Sequence, residues 1–209
     1  MGAAAAPLSL DDQLTAYGQY HVNHWNRAVH ILCVPLGFWS AMVLLAHAPV
    51  VFVADAWPLN ASFCATFGLV CYYGLLEPLA ALMLAPLAAA VTYSANVFAI
   101  KAPHSALLAL PVHAAAWAGI VVSHALLEQR RVPARPSALL RAALIAPLFV
   151  FFDLLFVLGY RPGLQRRLYE RARAIAAPDA HGDHVAAVRA AKLSARMASR
   201  VSAPGKSGG

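Results

Sequence analysis

The chain has 209 residues, of which 61% are hydrophobic and 12% charged, against roughly 25% charged in an average soluble domain. A water-soluble globule of that length cannot hide so much apolar surface, so a disordered chain, a disulfide-stapled secreted domain and a soluble nucleic-acid-binding globule are all excluded. The net charge of +7 does not argue for a nucleic-acid partner, because ten of the sixteen Lys and Arg lie from Arg161 onward, where basic residues set membrane orientation and attract lipid headgroups.

Between Arg27 and Glu128 the only charges are Asp55, Glu77 and Lys101, which leaves charge-free runs at 28–54, 56–76, 78–100 and 102–127. Each exceeds the ~20 residues that a helix needs to cross ~30 Å of hydrocarbon. The fold class that follows is an all-α, polytopic transmembrane bundle with four to five apolar helices, embedded in the lipid bilayer. Its expected parts are a disordered N-terminus (1–8), an integral-membrane helical domain (9–162) and a basic, partly disordered tail (163–209).

In chain order, Ser9 followed by Asp12 is a capping-box-like start, so a helix begins near Leu10 and runs toward a first span at about 29–46. A Pro-rich link with Pro49, Asp55 and Pro58 follows. Glu77–Pro78 and Pro86 are competing boundaries for the next two helices, and the reading adopted is 62–84 and 87–101. A further span covers about 105–128. Arg130, Arg131, Pro133 and Pro136 then interrupt the chain before a last apolar helix near 138–160. An amphipathic stretch follows at 163–176, with His181 and His184 in a solvated turn beyond it. Cys33, Cys64 and Cys71 fall in apolar runs without a CxxC pair and read as small buried hydrophobes.

If the last apolar helix crosses the membrane, Arg130, Arg131, Arg135 and Arg141 lie on one side and the basic tail on the other, against the positive-inside rule. A segment that turns back at Pro147 or lies along the surface removes the conflict.

Ionisable side chains at membrane depth face the bundle interior and have partners or work to do. Seven histidines, His21, His24, His30, His47, His104, His113 and His124, fall in or beside the apolar core. At ~100° per residue His113, Trp117, His124 and Glu128 form one helical stripe. Glu128, four residues after His124, can reach its imidazole or share an ion with it. In the N-terminal segment Tyr17, His21 and His24 share one face, and Asn23, Asn26 and His30 the other. His21 and His30 stand ~13.5 Å apart on a straight helix, so a shared site requires the helix to break between them. His47 and His104 read as helix-end residues. The interior acids Glu77 and Asp153 read as structural partners of a His or Arg.

Three motifs carry a family resemblance. The first is Tyr17, His21, Asn23, Asn26 and His30 followed by Val34–Pro35 and Trp39–Ser40. The second is His113, Trp117, His124 and Glu128, then Arg130 and Pro133–Ala134. The third is Pro147–Leu148, Phe151–Phe152–Asp153 and Leu158–Gly159–Tyr160. In this order and spacing, over about residues 14–165, the chain resembles the membrane 2-hydroxy fatty acid dioxygenases. It departs from their pattern at Val22, His24, Ile120, Ser123 and Asp153.

The resemblance implies an Fe(II)- and O2-dependent enzyme of the endoplasmic reticulum membrane, or of the inner membrane if the source is bacterial. Such an enzyme shortens a 2-hydroxy fatty acid by one carbon, in fatty acid α-oxidation and phytosphingosine breakdown. It implies His21, His30, His113 and His124 as metal ligands, Glu128 as a catalytic group, and Tyr17, Asn26 and Trp117 as substrate-binding residues. A chelating 2-hydroxy acid and O2 fill three of six octahedral positions and leave three for protein ligands. Four histidines are one too many, and His113 and His124 lie ~16.5 Å apart on a straight helix. Either three of the four bind iron, or a helix break brings in all four. A spare His would then steer substrate or protons with Glu128. Two other classes fit the residues alone: a haem-binding electron-transfer protein, and a non-catalytic lipid-binding scaffold held together by its His–Glu stripe.

Overall fold

The computed structural model describes residues 9–48, 60–128 and 136–176. The Pro-rich link around Pro49, Asp55 and Pro58, the break at Arg130–Pro133, the N-terminal segment 1–8, and His181 and His184 lie outside the described residues. Those residues form seven α-helices: α1 (Leu10–Gly18), α2 (His24–Ala46), α3 (Ala61–Leu76), α4 (Pro78–Lys101), α5 (Ser105–Ser123), α6 (Pro136–Val157) and α7 (Pro162–Ala176). A π-helical turn, His124–Glu128, extends α5.

The caps explain several boundaries. Ser9 Oγ accepts from the Asp12 N–H, and Asp11 and Asp12 complement the dipole of α1. Asn23 caps α2 by accepting from the Trp25 N–H at 2.8 Å. The chain between Gly18 and His24 is therefore not helical, and the break needed between His21 and His30 is present. The third helix does not run through to residue 84. Glu77 is extended (φ −154°, ψ 97°) and Pro78 opens α4, because a residue before proline avoids the helical region and proline suits a first helical turn. Pro86 lies inside α4, where it removes one backbone donor that neighbouring elements can compensate.

Helices α2 to α5 run alternately up and down. Ser40 with His113, Asn26 with Ser123 and His47 with Ser105 pair α2 and α5 antiparallel. Asn60 and Ser62 with Asn96, and Thr66 with Thr92, pair α3 and α4. The α2–α5 contact is close because it uses small residues: Gly37 faces Ala116, and a Cβ on Gly119 would sit 2.9 Å from Cys33 Sγ. The near end of the bundle holds the start of α2, the α3–α4 junction and the end of α5. The far end holds His47, Asn60 and Lys101.

Four helices are long and apolar enough to span a membrane: His24–Ala46, Pro78–Lys101, Ser105–Glu128 and Ser137–Val157, with Ala61–Leu76 shorter. Their outward residues include Phe67, Leu82, Ile100 and Leu107, the apolar exposure expected of lipid-facing surface. Cys64 and Cys71 belong to that outer surface too. They are not buried as expected, because a bundle in lipid gains nothing by turning small apolar side chains inward.

Helix α6 is not a parallel fifth member. Tyr73 donates to the Leu144 carbonyl at 2.6 Å, Arg27 binds Asp153, and Arg161, just beyond α6, binds Glu77. All three partners on the bundle are at its near end. Helix α6 therefore lies across that end, continuous through Pro147, with Ile145, Leu148 and Phe152 buried against α1 and α7 in one core. Leu164 and Leu168 of α7 join the same core, while Arg166, Arg167, Arg171 and Arg173 are exposed. With α6 across the end, Arg141 and the arginines of α7 lie on the same side, and the conflict with the positive-inside rule disappears among the described residues.

Candidate metal centre

The link between α1 and α2 carries His21, the second turn of α2 carries His30, and the π-turn begins with His124. All three imidazoles are buried, and one ring nitrogen from each lies within 4.8 Å of the others. The ring centroids of His21 and His30 are 4.4 Å apart, of His21 and His124 4.7 Å, and of His30 and His124 4.9 Å. The break after Gly18 turns His21 back toward α2. The wide π-turn re-aims the end of α5, a device often found at functional sites.

Hydrogen bonding settles what these rings present to each other. His21 Nδ1 is 2.7 Å from the Tyr17 carbonyl and His30 Nδ1 is 2.8 Å from the Asn26 carbonyl. A carbonyl only accepts, so each Nδ1 carries the proton, and a neutral imidazole then has a bare Nε2. The two Nε2 atoms face each other at 3.1 Å. Two lone pairs at that distance repel unless a cation or a shared proton lies between them. Burial first, and then the neighbouring His30, hold the His21 imidazole well below its ordinary value, which disfavours the shared proton.

A metal ion fits the donor set. Nitrogens bound at ~2.1 Å and at right angles stand about 3 Å apart, and Nδ1–H to backbone carbonyl is the usual way a ligand histidine is oriented. A porphyrin between two axial imidazoles does not fit, because the 3.1 Å gap between His21 and His30 leaves no room for the ring.

The surrounding groups tie the three elements together. The Tyr17 ring stacks on His21 at 4.0 Å, and its phenol, pushed up by burial and by Asp153, stays protonated. Glu128 Oε1 accepts from the Asn23 N–H at 2.8 Å and from Asn26 Nδ2 at 3.1 Å. Its described hydrogen bonds thus run to the start of α2 and not to His124, because the π-turn changes the register that a regular helix would give. Asn26 is fully buried: its amide donates to Glu128 and the Tyr20 carbonyl, and its oxygen accepts from Ser123 at 2.6 Å. Ser123 is thus a joint between α5 and α2, a role that its place beside the histidine stripe did not suggest.

His113 is set apart from the other three. Trp117 Nε1–H donates to His113 Nε2 at 3.0 Å, His113 Nδ1–H donates to Ser40 Oγ at 3.0 Å, and Ser40 donates to the Gly37 carbonyl. Both ring nitrogens are used, so no lone pair is left for a cation. The shared stripe is real, but eleven residues of rise keep His113 deep in the bundle while His124 ends at its edge. His24 is exposed beside Trp25, and His47 and His104 are helix-end residues as expected.

A cleft of about 410 Å³ opens onto the three histidines, lined also by Tyr17, Trp117, Ile120, Arg141 and Ile145. That is within the ~300–1,000 Å³ typical of small-molecule sites. Tyr17 and Trp117 reach this cleft, whereas Asn26 does not. On the far side of His21, Arg27 makes a bidentate pair with Asp153 at 2.8 and 2.6 Å and also donates to Tyr169. That locks α2, α6 and α7 around the site.

Residues 8–158 match the family model described as 2-hydroxy-palmitic acid dioxygenase Mpo1-like. No curated protein matches the chain, and no solved structure does.

Proposed function

The chain belongs to the Mpo1-like family, and on that premise we propose that it is an Fe(II)- and O2-dependent dioxygenase that removes one carbon from 2-hydroxy fatty acids. The observation that carries the proposal is the convergence of the His21, His30 and His124 rings, with the bare Nε2 atoms of His21 and His30 face to face. A bound ferrous ion supplies the means of using O2 as oxidant beside a chelating 2-hydroxy acid. The bond between the carboxyl and carbinol carbons breaks and O2 is reduced. With the lost carbon released as CO2 together with one water, atoms and electrons balance without another reductant.

The protein's own part is positional. His21, His30 and His124 hold the metal, and the carbonyls of Tyr17 and Asn26 orient two of them. Glu128, Asn26 and Ser123 act as positioning residues that clamp the His21 link to the end of α5. Tyr17 covers one face of His21 and excludes water there. Trp117, Ile120 and Ile145 give the acyl chain an apolar wall, and His113 holds Trp117 by its indole N–H. The basic near end faces the cytoplasm by the positive-inside rule, so the site works at that surface of the endoplasmic reticulum membrane, or of the inner membrane in a bacterium.

The test is purified protein loaded anaerobically with Fe(II), then given O2 and 2-hydroxypalmitate, with products read by mass spectrometry. A fifteen-carbon acid is expected. Its absence from protein with confirmed iron content overturns the activity.

A further inference from the structure

The cleft contains one cation among its described lining residues and no acid: Arg141. Helix α6 lines the cleft along a broad stripe from Ser137 to Ala146, from which only Leu140 and Leu144 are absent. Arg141 is the only charge on that stripe. The other charge of α6, Asp153, is already neutralised by Arg27. Arg141 is exposed and, among the described residues, has no ion pair or hydrogen bond, so its guanidinium is free to take an anion from the cleft.

No carboxylate among the described lining residues complements that charge. Arg141 precedes Phe149 by eight residues, about 12 Å of helix rise, and the Phe149 ring lies 5.4 Å from His21. Arg141 and the three histidines nonetheless line one and the same cleft, the arginine on the more distant part of its wall. Its planar fork matches the two oxygens of a carboxylate.

We propose that Arg141 is the carboxylate-recognition residue of this cleft, pairing with the ionised head of a fatty acid so that free acids are taken in preference to neutral lipids of the same chain length. This rests on the reading of the cleft as an acyl site. It extends that reading by naming what selects the head group.

The test needs no turnover. Metal-free protein in phosphatidylcholine nanodiscs is titrated with radiolabelled palmitate and radiolabelled 1-hexadecanol, with empty discs subtracted. Wild type is expected to bind palmitate at least about 10-fold more tightly, the size of one charge-assisted bidentate contact. Arg141→Gln should erase that preference while leaving hexadecanol affinity unchanged, and Arg141→Lys should keep part of it. Equal palmitate binding by wild type and Arg141→Gln overturns the proposal. So does displacement of palmitate by phosphatidylglycerol discs in wild type but not in Arg141→Gln, which would assign Arg141 to a lipid headgroup. Palmitate preference lost in Arg141→Gln with no fifteen-carbon product from iron-loaded wild type would uphold this inference and defeat the dioxygenase. Product formation with an unchanged preference in the variant would do the reverse.

Discussion

The two ends of the bundle both bury polar side chains in an apolar protein, and they do so in opposite ways. At the far end Asn60 Nδ2 donates to Asn96 Oδ1, Asn96 Nδ2 donates to Ser62 Oγ at 2.8 Å, and Ser62 Oγ donates back to Asn60 Oδ1 at 2.6 Å. Thr66 and Thr92 continue the ladder at 2.6 Å, and His47 meets Ser105 at 3.1 Å. Each of these groups is paired with another of the network. At the near end two histidines spend their protons on backbone carbonyls and turn bare nitrogens toward one another. A closed network holds helices together, whereas converging imidazoles with bare nitrogens can hold a metal ion.

The contrast is open to attack by substitution. Removing any one of His21, His30 or His124 as alanine is expected to cut fifteen-carbon acid formation by more than about 100-fold, since even residues behind a metal ligand are worth 10–100-fold. The chain should remain folded by size-exclusion in detergent. Asp153→Ala leaves Arg27 as a half-buried unpaired cation and should cost about 3–5 kcal/mol, seen as a lowered unfolding midpoint. Glu128→Gln keeps the shape of the clamp but not its charge, and should weaken metal affinity about 10-fold in a chelator competition. Asn96→Leu opens the far network instead. The expected loss is about 1 kcal/mol of stability, the scale of hydrogen bonds between membrane helices, with metal affinity unchanged.

Much of the arrangement is legible in the residues. The Ser9 cap, the span ending at Ala46, the 105–128 helix and a His or Arg partner for each of Glu77 and Asp153 follow from local chemistry, and the structure makes both partners arginines. The need for a break between His21 and His30 follows from helix rise alone. Other features depend on tertiary contacts that no local pattern records. A run as apolar as 138–157 fits a span, and only the contacts of Leu144, Asp153 and Arg161 lay it across the near end. Two prolines offered a helix boundary, and local chemistry suits either; the extended Glu77 puts the boundary at Pro78 and leaves Pro86 inside α4. Periodicity puts His113 and His124 on one stripe, but Ser40, a residue of another helix, completes the chain that closes His113. Glu128 is directed to Asn23 and Asn26 by a π-turn that sequence spacing does not announce.

The most direct test is anaerobic titration of metal-free protein with Fe(II), comparing His113→Ala with His124→Ala. Wild type and His113→Ala are expected to bind one ion per chain with similar affinity, and His124→Ala to bind none at the same concentration. Loss of the ion in His113→Ala, or its full retention in His124→Ala, contradicts a centre made of the three converging histidines.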